Sequence, residues 1–350
     1  AHIHGNEDVM LDLHHVRLND VNVRAEGIDN TGANASQRLN VIGCHFAGLA
    51  NLYLVRCDTP AVRNNWFKAA GESKPKMALR LDHSKLAQIK GNLMEGGYHD
   101  GIFFYGDTDS AVSDNRIRSC YRGIYLRGRN TMVKNASVED TVIAVQVAHG
   151  TAVVERVDVI KTTQAFRIDR ATAQLTTCRA TEISDKGKTI TMSNAAVDLL
   201  NCSFDPDRIE RRSGGPPPGR PWVQTMQYVV AKVKGDYPED TRVAVRTAQQ
   251  SGGVPKGKAD LNVRNSPSPV SPVGLTRLPA SKQPLTVRGW QIARNGKFRQ
   301  APFYDLIVTA PAPDEKSGRV TLKKELIEPS AAWFRRHPNS PEPTLEVEVP

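Results

Sequence analysis

With 350 residues the chain exceeds the usual size of one domain, so two domains are expected. A formal net charge of +10 favours an acidic partner, but Lys and Arg are scattered and no nucleic-acid motif accompanies them, which argues against nucleic acid. Five cysteines do not indicate a disulfide framework, and no apolar run in this segment is long enough for a membrane span.

The chain opens Ala1-His2-Ile3-His4, and a loose repeat is already under way at Leu11-Asp-Leu-His14-His15-Val16. This is expected of a mature or internal fragment without an N-terminal cap. Spacing fixes no carboxylate partner for His2, His4, His14 or His15, so they are expected as surface groups rather than metal ligands.

From Val41 onward one pattern recurs, apolar-x-x-(Asn/Cys/small)-x-apolar followed by apolar-x-apolar, with copies starting at Val41, Val62, Ile89, Val112, Val133, Val154, Leu175 and Leu199. Subtraction gives separations of 21, 27, 23, 21, 21, 21 and 24 residues. Periods of this size mean stacked repeats. Within a copy Asn115 and Ile117 share strand parity whereas Val112 does not, so a bend falls between them. Each copy then holds two or three short strands, and about 21 residues at about 3.3 Å each go once around a small core. Such coils form a solenoid in which each strand pairs with its equivalent one repeat away. The inward bend column reads Cys44, Asn65, Asn92, Asn115, Ala136, Val157, Cys178, Cys202; the three asparagines are expected to form a hydrogen-bonded ladder.

The Val-x-x-Asn-x-Ile and Gly-Ile-x-Leu elements resemble the right-handed parallel β-helix repeat of the pectate-lyase-like superfamily over residues 11–204. That resemblance implies an all-β fold and an extracellular or periplasmic protein. It does not choose among lyases, hydrolases, epimerases, tailspikes and repeat proteins without known chemistry.

Parity assigns the residue between the two inward apolar positions of the last strand to the outer surface: Tyr53, Arg80, Phe103, Tyr125, Gln146, Arg167, Thr191. The next outward column reads Val55, Asp82, Tyr105, Arg127, Ala148, Asp169, Ser193. Two insertions, residues 69–76 and 94–100, adjoin the aromatic part of this grid, and insertions in solenoids often build the binding face. Phe103, Tyr105 and Tyr125 offer flat surface for a sugar ring, and Arg80, Arg122 and Arg127 offer cations for substrate carboxylates. The competing reading is an ordinary solenoid surface in which these side chains pack across strands.

The sharpest chemical grouping is Tyr98-His99-Asp100, one coil from Arg80-Leu-Asp82-His83 and from Arg122. Polysaccharide elimination needs a base, for which His99 or Tyr125 is the candidate, and positive charge from Arg80, Arg122 and Arg127 or from calcium held by Asp82 and Asp100. Hydrolysis needs two spaced carboxyls, and Asp82 with Asp100 is the evident pair. His99-Asp100 resembles the end of the Asp-Pro-His-Asp motif of mannuronan epimerases, with Gly97-Tyr98 in place of its first half. Asp82-His83 resembles the Ile-Asp-His of pectate lyases, with Leu81 for the isoleucine.

After Phe204 the repeat stops. Residues 205–221 are rich in Pro and Gly and are expected as a linker. Beyond it, short alternating runs at Tyr228, Arg242, Leu261, Leu285, Tyr304, Arg319 and Leu345 are expected as strands of a β-sandwich accessory domain over 222–350. The functional expectation is a carbohydrate-active β-helix that binds, and as an enzyme would cleave or epimerise, an acidic polysaccharide; the alternative is a non-catalytic scaffold or adhesion protein.

Overall fold

The structure, a computed structural model, describes residues 2–4, 10–28, 38–70, 76–202, 204–234, 241–247, 268–269, 285–299, 304–311, 319–327 and 344–348. It divides into two units: Ala1–Asp198 with Phe204–Trp222, and Leu199–Ser203 with Val223–Pro350.

The first unit is a right-handed parallel β-helix. Each coil contributes three strands. In one coil these are Arg38–Ile42, His45–Gly48 and Asn51–Val55; in the next they are Ala61–Arg63, Trp66–Ala69 and Met77–Asp82. Every strand pairs in parallel with its equivalent on the neighbouring coil, which generates three sheets along one axis. In the first sheet Val41, Val62, Ile89, Val112, Val133 and Val154 stand in register and are all buried. β-branched side chains suit this column because their restricted χ1 fits a pleated, packed surface. The second sheet adds Phe46 and Phe67, whose rings stack at 4.4 Å.

A single left-handed residue turns the chain between the first and second sheets. Gly43, Asn64, Gly91, Asp114, Asn135, Arg156 and Thr177 occupy this corner with φ between 49° and 66°. Gly, Asn and Asp adopt that region at least cost, and Arg156 and Thr177 are held in it by parallel pairing on both sides. The residue after the corner points inward, and there the expected asparagine ladder is present. Asn92 Oδ1 accepts from Asn65 N–H at 3.0 Å and from Asn65 Nδ2 at 2.9 Å. Asn115 Oδ1 accepts from Asn92 N–H at 2.9 Å and from Asn92 Nδ2 at 3.0 Å. Each amide also donates to a backbone carbonyl one coil away, Val41, Val62 and Ile89 respectively. Above the ladder, Cys44 N–H donates to Asn65 Oδ1 at 2.8 Å; below it, Asn115 Nδ2 turns to Ser113 O at 2.8 Å.

The entry to the third sheet is set by close backbone approach. A Cβ on Gly101 would lie 2.7 Å from both Gly123 O and Ile117 Cγ2, and one on Gly123 would meet Val138 Cγ1 and lie 2.6 Å from Ala144 O. Gly101 and Ile102 are both buried, as are Gly123 and Ile124, so the strand is irregular here and strict alternation fails. One residue earlier, Asp100 and Arg122 stand in register at the edge of this sheet.

Residues 205–221, marked by composition as a linker, lie within Phe204–Trp222, which groups with the first unit. Asp205 caps a single 3-10 turn at Pro206–Arg208, and Ile209–Arg211 adds a parallel strand to Ile190, Thr191 and Met192. Phe204 and Trp222 are buried, and the Phe204 ring lies 5.7 Å from Phe166. The second unit, among its described residues, contains Val223–Lys234 paired antiparallel with Leu285–Ile292 and parallel with Thr344–Glu348. Arg242–Thr247, Tyr304–Pro311 and Arg319–Ile327 form an antiparallel group with Ser268–Pro269. The strand expected at Leu261 and the centre of the insertion at 69–76 lie outside the described residues.

Candidate functional site

The corner leading into the third sheet opens a cleft of about 920 Å³ lined from four successive coils, by Lys76 and Met77, by residues 97–100, by residues 119–122, and by Asp140, Thr141 and Val142. Three coil steps at roughly 4.8 Å give it a reach of about 14 Å along the solenoid axis. In its floor Asp100 is fully buried, and Arg122 grips it through two bonds, Nε to Oδ1 at 2.5 Å and Nη2 to Oδ2 at 2.9 Å. His99 Nδ1 lies 3.2 Å from Asp100 Oδ1, and the half-exposed imidazole stacks on Tyr121 with centroids 4.9 Å apart. Tyr121 is 47% exposed, and Val142, one coil further, is 40% exposed. The mouth of the cleft is thus a strip of imidazole, phenol and valine, with Ser119 and Asp140 beside it.

Two lining residues are chemically inert. Burial, and secondarily the Asp100 charge, pushes the Cys120 thiol up to about 12, and the thiol donates to Arg118 O at 3.4 Å. It is not a thiolate nucleophile. Tyr98, which the sequence places in an insertion and groups with His99 and Asp100, is a core residue whose hydroxyl donates to Ala50 O at 3.4 Å; burial raises its pKa well above the ordinary phenol range.

His99, Asp100 and Arg122 therefore come together as the sequence suggested, while the other candidates occupy the adjoining outer face of the third sheet. Arg80, Phe103 and Tyr125 stand in register there, and so do Asp82, Tyr105 and Arg127. They form a self-contained stack. Arg80 is bound by Asp82 of its own strand, Nε to Oδ1 at 2.9 Å and Nη2 to Oδ2 at 2.6 Å, and Tyr53 donates its hydroxyl to the same Asp82 at 2.5 Å. The Arg80 guanidinium lies 4.8 Å from the Tyr53 ring centre and 5.4 Å from that of Phe103. Phe103 packs on Tyr125 at 4.9 Å, Arg122 lies 4.1 Å over Tyr125, and Arg127 lies 4.8 Å over Tyr105.

Three expectations are corrected by these contacts. Phe103 does face outward by parity but is only 8% exposed, because neighbouring coils cover it. Arg80 and Arg122 are already committed to protein carboxylates rather than free for substrate. Asp82 and Asp100 are not a pair: Asp100 is in register with Met77, five positions before Asp82, so the two lie about 17 Å apart. That exceeds the roughly 5 to 9.5 Å needed by a hydrolytic carboxyl pair, and it is far too long for a shared calcium ion.

A family described as "Periplasmic copper-binding protein (NosD)" matches residues 4–153 of this chain, less than half its length. No curated protein matches it. Among solved structures, the tailspike protein gp49 from Pseudomonas phage LKA1 is similar at 12% identity, with a TM-score of 0.27. That match covers 66% of this chain and 56% of the tailspike.

The donor set of the described residues does not fit copper. Among the described residues no group of three or more His, Cys, Asp or Glu side chains is placed to hold a metal ion. All five cysteines are free and buried, and burial pushes Cys57 up to about 11. Three of the described histidines have other neighbours: His14 sits 2.5 Å from Asp12, His45 stacks on Trp66 at 4.3 Å, and His83 meets Tyr105 edge-on at 5.3 Å. No helix among the described residues is long and apolar enough to cross a membrane.

Sequence reasoning missed Tyr121, Val142, Ser119 and Asp140. Residues 118–122 read as a turn of variable length, and the available signal was an aromatic residue inside that turn, between Cys120 and Arg122.

Proposed function

We propose that this protein is a saccharide-binding β-helix, acting in the periplasm or outside the cell, and that the corner cleft is where the sugar sits. The observation that carries the reading is the exposed His99–Tyr121 stack at the mouth of a cleft spanning four coils. A pyranose presents an apolar C–H face to such a ring and hydroxyls to the polar groups around it. Replacing Tyr121 tests the assignment directly. Tyr121→Ala is expected to weaken oligosaccharide binding roughly tenfold, the loss of about one stacked ring, with little change in thermal stability. Phe103→Ala is expected to do the reverse, lowering the melting temperature while leaving binding in place, because its ring is covered by neighbouring side chains. Calorimetric titration and thermal melts of both variants decide the matter; equal binding losses would return recognition to the sheet face.

A second reading, proton abstraction from a bound sugar, is favoured by His99. A buried carboxylate beside Nδ1 orients the ring and leaves the rest of the imidazole free to act as a base. Against it stands the double grip of Arg122 on Asp100, which leaves no free cation in the floor for a developing negative charge. Release of unsaturated products or new reducing ends from a polysaccharide panel would establish turnover. Their absence, with binding retained, leaves recognition alone.

A further inference from the structure

We infer that the cleft selects a neutral saccharide, such as a hexose oligosaccharide, and discriminates against uronates; this rests on the saccharide-binding reading above. The charged residues lining the cleft, with histidine neutral, are Lys76, Arg122, Asp100 and Asp140, two of each sign. The formal charge of +10 carried by the whole chain is therefore not gathered here. Of the two positive groups, Lys76 comes from the first of the four coils and Arg122 in the floor does not stand free. The Nε/Nη2 edge of the Arg122 fork is taken by Asp100, and on its other edge Nη1 is 3.3 Å from Gln146 Oε1 and Nη2 3.5 Å from His99 Nδ1. A ligand carboxylate drawn to Arg122 would be repelled by Asp100 at nearly the same distance. A neutral hydroxyl meets no such penalty.

The second anion in the cleft is equally fixed. Asp140 accepts from Ser119 Oγ at 3.0 Å and lies 3.3 Å from Lys161 Nζ. The Ser119 bond first, and the Lys161 ammonium next, hold its carboxyl below the usual carboxylate range, so it stays charged at neutral pH. A uronate chain lying along the four coils would pass this group, whereas a neutral sugar can donate to it. The surfaces that remain for the ligand are the Tyr121 and His99 rings, Val142 and hydroxyl-bearing Ser119, which is the chemistry of a neutral ring with an apolar face and several hydroxyls.

The test is isothermal titration of the full chain with two panels at about 0.05 and 0.5 M salt, chosen to lie on either side of strong screening. The neutral panel is maltotriose, cellotriose, mannotriose and chitotriose; the acidic panel is trigalacturonate and trimannuronate. At least one neutral trisaccharide is expected to bind, with affinity changing less than about twofold across that salt range, and neither uronate is expected to bind. Asp100→Asn, nearly isosteric, removes one anion and releases Arg122, so it is expected to gain uronate binding that falls with salt. Asp140→Asn, at an exposed position, is expected to gain it too and serves if the first variant does not fold. Uronate binding by the native protein that weakens steeply with salt overturns the neutral assignment and leaves saccharide recognition standing. Binding of neither panel overturns both, and folded variants that gain no uronate affinity overturn the charge-balance argument.

Discussion

Ile117→Asp is expected to abolish cooperative folding of several coils. Ile117 is fully buried at the centre of the second sheet, in register with Met94 and Val138 and against the backbone of Gly101. A carboxylate there has no cation within the core, and leaving it unpaired costs several kcal/mol even after it takes up a proton. In a stack of repeats the damage extends beyond one coil, because each interface supports its neighbours. Circular dichroism and thermal melting of Ile117→Asp beside Arg129→Ala, an exposed residue at the end of a strand, provide the check. Similar melting temperatures for the two variants would contradict the assigned inward face.

The next largest effect is expected at Asn92, the middle rung of the ladder. Alanine there removes the acceptor of Asn65 N–H and Nδ2 and the donor to Val62 O, so three buried polar groups lose partners at once. At roughly 1 kcal/mol or more for each group left unsatisfied, the loss is about 3 kcal/mol. Asn115→Ala should cost about as much, because its oxygen accepts from Asn92 N–H and Nδ2 and its amide donates to Ile89 O and Ser113 O. Urea unfolding of the two variants measures both losses directly, and a change of well under 1 kcal/mol for either would show that its rung does not carry the buried bonds assigned to it.

The ladder was legible because it depends on spacing alone: one inward position per coil. Parity required a bend at this place, but that a single left-handed residue makes it, at Gly43, Asn64, Gly91, Asp114 and Asn135, came from the backbone alone. What spacing does not carry is offset along the strand. Asp82 and Asp100 lie on adjacent coils, yet they stand at opposite ends of their strands, so nearness in coil number misled. The Asp100–Arg122 pair, by contrast, follows from register once the repeat is aligned through Ile102 and Ile124. Side-chain cover was the second gap. Parity places Phe103 outward, but only the conformations of Arg80 and Tyr125 decide that it is hidden. The platform at Tyr121 was missed for a third reason, since a turn of irregular length carries no periodic pattern by which to place a side chain.

The hydrogen bonds that join one coil to the next run along the solenoid axis in all three sheets, and this sets how the molecule responds to mechanical load. A pull along the axis opposes those bonds head-on and concentrates on the end coil, so extension would peel the chain one turn at a time, each turn of about 21 residues releasing roughly 70 Å of length. Sideways load applied at the cleft is instead shared among the four coils that line it. A fold of this kind is compliant at its ends and stiff across its middle, where the cleft lies.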